Sequence, residues 1–161
     1  MATPALDLSA CELFRGVEPA ALEGLRALGQ ATEVPSGAVL FRLGDLADQL
    51  YVVLRGRIAL AMPIHVRGAE QDLTVEEKGP LEVVGWSALI PPHHATLSAR
   101  ALLDSALFVL PGQALQQHLA SDPVVGLRVM SNLAAVVGRR LHQAQALWVR
   151  ELQRTVAARY A

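Results

Sequence analysis

The sequence predicts a mainly β protein: an eight-stranded antiparallel β-roll of the jelly-roll type, with helices before it and a long helix after it. Short β-branched and aliphatic runs recur over residues 30–110, with a glycine at nearly every corner. Apolar residues at steps of three and four precede that region over residues 9–28. Helices are also expected within residues 112–160, where no proline follows Pro123. We therefore expect a single domain over residues 1–161.

The bulk composition limits the classes of function. Of the 161 residues, 52% are hydrophobic but only 4% are aromatic, so Ala, Leu and Val must fill the core. The 14 basic and 15 acidic residues show no basic stripe, so we expect no nucleic-acid partner. A single cysteine excludes an internal disulfide, and no apolar run approaches the roughly 20 residues that span a bilayer. Without a signal peptide, the protein is expected to be cytoplasmic, with no membrane segment.

Two helices are expected near the start of the chain. Gly16 should separate them, Pro19 suits the first position of the second helix, and Gly29 suits its end. The residues expected to face the core are Leu13, Phe14, Val17, Leu22, Leu25 and Leu28.

Alternating apolar and polar residues then predict the strands of the roll. The expected strands are Thr32–Val34, Ala38–Phe41, Leu50–Arg55, Ile58–Pro63, Leu73–Glu77, Leu81–Val84, Thr96–Ala101 and Ala106–Leu110. The stretch His65–Asp72 is polar and contains Gly68, so we expect a mobile loop between the fourth and fifth strands.

The stretch between the sixth and seventh strands is the expected ligand site. A strand stops at Gly85, one short helical turn follows, and Pro91-Pro92 ends it. Free amides at the start of a helical turn favour an anion, so the amides of residues 87–89 are expected to receive one. The expected ligand-binding residues are Gly85, Trp86, Ser87, Ala88, Leu89, His93, His94, Ala95 and Thr96.

The C-terminal part predicts a short helix, Gly112–Leu119, and a long helix that begins at Pro123 with Asp122 as its N-cap. One apolar row on the long helix steps alternately by three and four, as in a coiled-coil seam. That row is Leu127, Met130, Ala134, Val137, Leu141, Ala144 and Trp148. A second row, which suits packing on the roll, is Val129, Leu133 and Val136. Two apolar faces are more than a monomer needs, so we expect a homodimer through the first row.

This order of elements resembles the cyclic nucleotide-binding domain. That domain is the sensor module of the catabolite activator and fumarate–nitrate regulator families and of cyclic-AMP-dependent kinase regulatory subunits. The residues that carry the resemblance are Pro35, Gly37, Phe41, Gly44, Asp45, Leu50-Tyr51-Val52-Val53-Leu54, Gly56, Gly85, Ala88, Leu89, Ala95 and Thr96. Glycine suits such corners because they need a positive φ or a close backbone approach. The resemblance covers nearly the whole chain and implies a regulatory β-roll.

The ligand contacts that the resemblance implies are replaced in this chain. It implies a Glu directly after Gly85 to hold a ribose hydroxyl, and Trp86 stands there. It implies an Arg just before the Ala95-Thr96 pair to neutralise a cyclic phosphate, and His93 or His94 stands there. Imidazole lacks the bidentate geometry and constant charge of guanidinium. The cofactor therefore stays unassigned: a cyclic nucleotide suits the fold, but its Glu and Arg contacts are absent.

The chain also resembles oxygen-sensing regulators, which share a Gly-aromatic pair and a His-His pair. This second resemblance covers fewer features. Those regulators need an N-terminal cysteine cluster, and this chain has only Cys11. They also end in a helix-turn-helix domain, and the expected long helix leaves no residues for one here. We therefore expect a stand-alone module without a DNA-binding domain.

Each candidate residue also has a purely structural interpretation. Trp86 either stacks on a ligand or fills the space of the missing Glu and closes the site. His93 and His94 either contact an anion when protonated, bind a metal or haem, or face solvent from a loop. Adjacent residues on a strand point to opposite faces and do not share one metal. We expect no metal site, and in the absence of a catalytic constellation we expect no enzyme.

Two functional hypotheses follow. In the first, a regulatory module binds a small anionic ligand at the turn, and its long helix passes the signal to a partner protein. In the second, the protein is a pseudo-sensor, a dimeric interaction scaffold whose pocket has closed around Trp86. A third and less favoured hypothesis is a haem or gas sensor that uses a histidine.

Overall fold

Two four-stranded sheets form the centre of the described chain, and helices flank them. The structure is a computed structural model that describes residues 7–160. The strands are β1 Gln30–Val34, β2 Val39–Phe41, β3 Gln49–Arg55, β4 Ile58–Val66, β5 Ala69–Lys78, β6 Val83–Val84, β7 Ser98–Ala101 and β8 Ser105–Pro111. The helices are α1 Pro19–Leu28, α2 Gly112–Ser121 and α3 Pro123–Tyr160, and 3-10 turns cover Leu8–Ala10 and Trp86–Leu89.

The sheets have the strand orders β1-β8-β3-β6 and β2-β7-β4-β5, and every pairing is antiparallel. This arrangement confirms the predicted β-roll. Strand β3 carries a continuous run of apolar and aromatic residues, Leu50 to Leu54, because successive side chains point to opposite faces and both faces are covered. Val53 belongs to the cluster between the sheets, with Ile58 and Leu107. Val52 belongs to the cluster under the helices, with Leu133 of α3.

The prediction of a mobile loop over residues 65–72 is wrong, because β4 and β5 continue through this stretch as a hairpin. Val66 pairs with Ala69, so only Arg67 and Gly68 form the turn. Their φ angles are 51° and 81°, and tight two-residue hairpin turns require positive φ. The stretch is polar because the hairpin extends past the core, where its side chains are exposed.

Two other expected elements are shorter in the structure. The first helix is replaced by a 3-10 turn, which ends where Cys11 adopts an extended conformation, and by irregular turns up to Gly16. Helix α1 then begins at Pro19 as predicted. Leu81, with a φ of 70°, lies in a turn rather than in a strand, so β6 holds only two residues.

Helix α3 has its predicted bounds, and it packs on the roll through the second of the two apolar rows, as predicted. The Val125 amide donates to Asp122 Oδ1 at 3.2 Å, which confirms the N-cap. The row Val129, Leu133 and Val136 is buried. The 38 residues of α3 extend about 57 Å, and every described residue from Leu141 onward is exposed.

Polar contacts fix the first half of α3 to the N-terminal segment. Asn132 Nδ2 donates to two carbonyl oxygens within residues 13–15, each at 2.9 Å. Arg139 Nη2 donates to Glu12 Oε2 at 2.7 Å, and the other oxygen of Glu12 accepts from the Val83 amide at 3.1 Å. These contacts join α3 to the sheet edge at β6. Within residues 7–160, no helix has the length and apolar character needed to cross a membrane.

Candidate ligand-binding site

The expected ligand turn is shaped by Gly85 and supported by α2. Gly85 has a φ of 80°, and a Cβ there would lie 2.7 Å from the Gln49 carbonyl oxygen, so glycine is required. Gln116 Nε2 on α2 donates to the Ala88 carbonyl oxygen at 2.6 Å. The Ala88 amide donates to the Gly85 carbonyl oxygen at 3.0 Å. That amide is therefore used inside the turn and is not the open anion donor that the sequence suggested.

A cavity of about 150 Å³ lies between the turn, the roll and α3. The expected ligand-binding residues that line it are Gly85, Trp86, Ser87, Ala95 and Thr96. Ala88 and Leu89 are buried but do not line it. His93 and His94 do not line it either. The structure thus brings together five of the expected residues and places four outside the cavity.

His93 and His94 hydrogen-bond to backbone carbonyl groups. His93 Nδ1 lies 3.1 Å from the Ser87 carbonyl oxygen, and His94 Nδ1 lies 3.0 Å from the Gly44 carbonyl oxygen. Since a carbonyl only accepts, each Nδ1 carries a proton in these contacts. His93 has a φ of 59°, so the expected alternation of faces along a strand does not apply to it. Among the residues that the structure describes, no three His, Cys, Asp or Glu side chains are grouped to hold a metal.

The wall opposite the turn contains charged residues that the sequence analysis missed. Glu76 and Lys78 come from β5 and Arg140 comes from α3, where it lies beside Val136 of the predicted buried row. Lys78 Nζ lies 2.6 Å from Glu76 Oε1 and 3.3 Å from Glu82 Oε1. Arg140 Nε lies 3.5 Å from Glu76 Oε2. Glu76 therefore connects β5 to α3 across the cavity.

Arg140 also covers Trp86. Its guanidinium carbon lies 5.7 Å from the centroid of the ring, within the roughly 6 Å range of a cation–π contact. Burial lowers the pKa of Arg140, and the charge of Glu76 partly offsets this. Burial also opposes the charge on Lys78, but the hydrogen bond and charge of Glu76, with the charge of Glu82, raise the pKa of Lys78 overall. The raised pKa keeps Lys78 a cation at neutral pH, and a guanidinium is not deprotonated in proteins.

Two sequence signals could have found this wall. Glu76 and Lys78 are two residues apart on one strand, so they share a face. The buried row of α3 continues from Val136 by four residues to Arg140, which puts a charged side chain in line with an apolar row. A charge that extends a buried row indicates a partner inside the protein.

The row expected at a dimer interface lies on the open side of α3. Val137 is half-buried, while the other six residues of the row are exposed, with Leu127 at 72% and Trp148 at 67%. An apolar stripe therefore faces solvent along the helix in the single chain. Its pairing with a second copy stays a prediction.

Comparison with known proteins gives consistent matches. A family model described as cyclic nucleotide-binding domain matches residues 31–122. The chain is 27% identical over 136 residues to a CRP-like cAMP-activated global transcriptional regulator of Mycobacterium tuberculosis, covering 84% of this chain and 58% of that protein. It is 31% identical over 132 residues to the cyclic AMP receptor protein of Thermus thermophilus, covering 82% of this chain and 58% of that protein.

A solved structure agrees in fold. The crystal structure of the Thermus thermophilus catabolite activator protein superposes with a TM-score of 0.70 at 30% identity, covering 88% of this chain and 63% of that chain. This chain spans a little over half the length of the curated relatives it matches, 58% in both cases.

Proposed function

Because the chain belongs to the cyclic nucleotide-binding domain family, we propose that it is a regulatory module whose cavity senses a small ligand. One observation carries the proposal: Val136 and Arg140 of α3 line the same cavity as Gly85 and Trp86. A ligand that binds more tightly with α3 in one position than in another will shift the helix toward that position. Cavity occupancy and helix position are therefore linked.

Cyclic AMP and cyclic GMP are the first ligands to test. The Mycobacterium tuberculosis relative is named as cAMP-activated, which supports this choice. A phosphate in the cavity would meet the cations Lys78 and Arg140, but it would also meet Asp45, Asp48 and Glu76. Without the bidentate arginine contact that the family resemblance implies, affinity for a cyclic nucleotide should be modest.

The proposed output is a homodimer that forms through the exposed row of α3 and contacts a partner protein. At 3.6 residues per turn, the exposed row and the buried row lie roughly 100° apart around the helix. Helix α3 can therefore pack on its own roll and on a second copy at the same time. Movement of α3 over the cavity would then change the geometry of the dimer.

A second candidate function is a dimeric scaffold that binds no cyclic nucleotide. The cavity of about 150 Å³ is smaller than the roughly 300 Å³ at the lower end of pockets for small molecules. Arg140 and Trp86, which contact each other, are among the side chains that limit this space. A complete nucleotide would enter only if these side chains or α3 moved.

Calorimetric titration with cAMP and cGMP, together with hydrogen–deuterium exchange of the same samples, separates the two functions. The sensor predicts micromolar binding and altered exchange within residues 136–148 of α3. The scaffold predicts no heat and no altered exchange at millimolar nucleotide. Binding that leaves the exchange of α3 unchanged would contradict the proposed coupling.

A further inference from the structure

The last part of α3 carries an apolar stripe that the exposed row does not include. Val149, Leu152 and Val156, here called the tail stripe, are each about half exposed and line one groove on the helix surface. Helix α3 is continuous through them, and nothing else in the described chain buries these side chains. A contiguous apolar patch at the surface indicates a contact with another molecule.

The spacing of the apolar residues of α3 changes at Trp148. The exposed row steps alternately by three and four up to Trp148, and the same rule would place Glu151 and Thr155 next in the seam. The apolar residues instead step by four, from Trp148 to Leu152 and from Leu152 to Val156. Because successive helical residues are about 100° apart, the apolar surface turns away from the direction that a heptad repeat requires.

The residues that the heptad rule would bury have polar contacts of their own. Glu151 Oε1 accepts from Arg154 Nη1 at 2.8 Å, and the Thr155 hydroxyl donates to the Glu151 carbonyl oxygen at 2.9 Å. Arg150, Glu151 and Arg154 all point at least about 120° away from the mean direction of the tail stripe. The charged side of this segment is therefore opposite the stripe, as in a helix with one face packed on a partner.

We propose that the tail stripe continues the homodimer contact, with the two α3 helices parallel and the tail stripe of a second copy as its occupant. This inference rests on the proposed homodimer and adds the course of the contact beyond Trp148. Leu152 follows Trp148 by four residues, so the tail stripe is continuous with the exposed row. One partner helix can therefore cover both surfaces.

The length of the exposed row favours such a continuation. A coiled coil is expected where heptads continue over about three to four repeats. The exposed row reaches only about three, and two of its seven residues are alanine, which buries little apolar surface. With the tail stripe, the contact runs from Leu127 to Val156, about four heptads.

The two helices must change how they wind around each other to make this contact. A heptad repeat has about 3.5 residues per turn and gives a left-handed supercoil, whereas an 11-residue repeat, with about 3.67, gives a right-handed one. From Leu141 to Val156 the apolar steps are three, four, four and four, about 3.75 residues per turn. The left-handed winding of the exposed row is therefore relaxed along this segment.

Disulfide trapping shows which side chains of the two helices meet. Leu152→Cys and Glu151→Cys change neighbouring exposed residues, and Cys11→Ala as background removes the native thiol. Under mild oxidation Leu152→Cys should form covalent dimer at least about ten-fold faster than Glu151→Cys, because only facing residues bring two Cα atoms within about 7 Å. Val156→Cys should exceed Thr155→Cys in the same way. An uninterrupted heptad repeat predicts the reverse order for both pairs.

Ala144→Cys, in the exposed row, separates this inference from the proposed homodimer. Rapid crosslinking of both Ala144→Cys and Leu152→Cys supports the continuous contact. If Ala144→Cys crosslinks but Glu151→Cys is as fast as Leu152→Cys, or neither of those two reacts, the continuation fails while the homodimer stands. The second of these outcomes would leave the tail stripe to a different protein. If none of the variants crosslinks, the homodimer fails as well.

Discussion

The guanidinium carbon of Arg140 lies 5.7 Å from the centre of the Trp86 ring, which puts α3 in contact with the ligand turn. The same arginine is 3.5 Å from Glu76 on β5. One side chain of the long helix therefore touches two walls of the cavity. A change at the turn can reach α3 through this contact, and each element of the contact can be removed separately.

Removing the Arg140–Glu76 ion pair should loosen α3. Arg140→Met keeps the apolar stem but leaves the Glu76 carboxylate without its partner on α3, so we expect a loss of about 1–2 kcal/mol in the free energy of unfolding. Amide exchange around residues 136–144 should accelerate. A double-mutant cycle with Glu76→Gln should give a coupling of about 1 kcal/mol by urea unfolding. Arg139→Met with Glu76→Gln is the control cycle and should be additive; additivity for Arg140 as well would refute the link.

Gly85 should be intolerant of any side chain. In Gly85→Ala the Cβ would meet the Gln49 carbonyl oxygen at 2.7 Å in a backbone with a φ of 80°. We therefore expect the free energy of unfolding to fall by about 3 kcal/mol. Gly68→Ala is the control, because Gly68 has a φ of 81° and nothing within 4 Å of the added carbon. Gly68→Ala should lower the free energy of unfolding by about 1 kcal/mol, because only the positive φ disfavours a side chain there. Thermal unfolding compares the two, and equal losses would mean that the close approach does not matter.

A charge on the exposed row of α3 should dissociate the proposed dimer. Ala134 belongs to that row, whereas Ala135 is exposed on a neighbouring face, so the same Ala→Glu change can be made at both. Ala134→Glu sets two carboxylates against each other at the seam and should weaken association by at least about ten-fold. Sedimentation equilibrium measures this change. A wild-type protein that is monomeric at all concentrations, or equal effects of the two variants, would argue against the interface.

The stability of the protein should fall at high pH because of Cys11. Burial raises the pKa of the Cys11 thiol from 9.0 to about 11, so the unfolded state loses this proton first. The stabilising contribution is complete below pH 9 and is lost as the pH rises toward 11. Urea unfolding between pH 8 and 11 should show a steeper decline for the wild type than for Cys11→Ala. If stability falls equally with pH in the wild type and in Cys11→Ala, the thiol has the same pKa in the folded and unfolded states and the prediction is wrong.

Much of the fold could be predicted because local chemistry determined it. Gly85 ends a strand, Asp122 caps α3, and the buried row of α3 already had the spacing of a packed helix face. The tip of the β4–β5 hairpin could not be predicted in the same way. Its strands are held by backbone pairing outside the core, so their side chains carry no apolar alternation.

The candidate site was predicted only on one side. The turn residues Gly85, Trp86 and Ser87 are consecutive, so a local pattern could find them. Glu76 and Arg140 meet across the cavity from elements far apart in sequence, and no local pattern encodes such a meeting. The histidines looked like ligands because they follow the turn, but their rings hydrogen-bond to backbone carbonyls.

The exposed end of α3 has one further consequence. Beyond Leu141 it carries Arg150, Arg154 and Arg159 against the single acid Glu151. Two such ends placed together repel, and dissolved salt weakens that repulsion beyond a screening distance of about 8 Å at physiological concentration. A rise in ionic strength should therefore strengthen the association of two copies of the chain. This is the reverse of its effect on a complex held together by opposite charges.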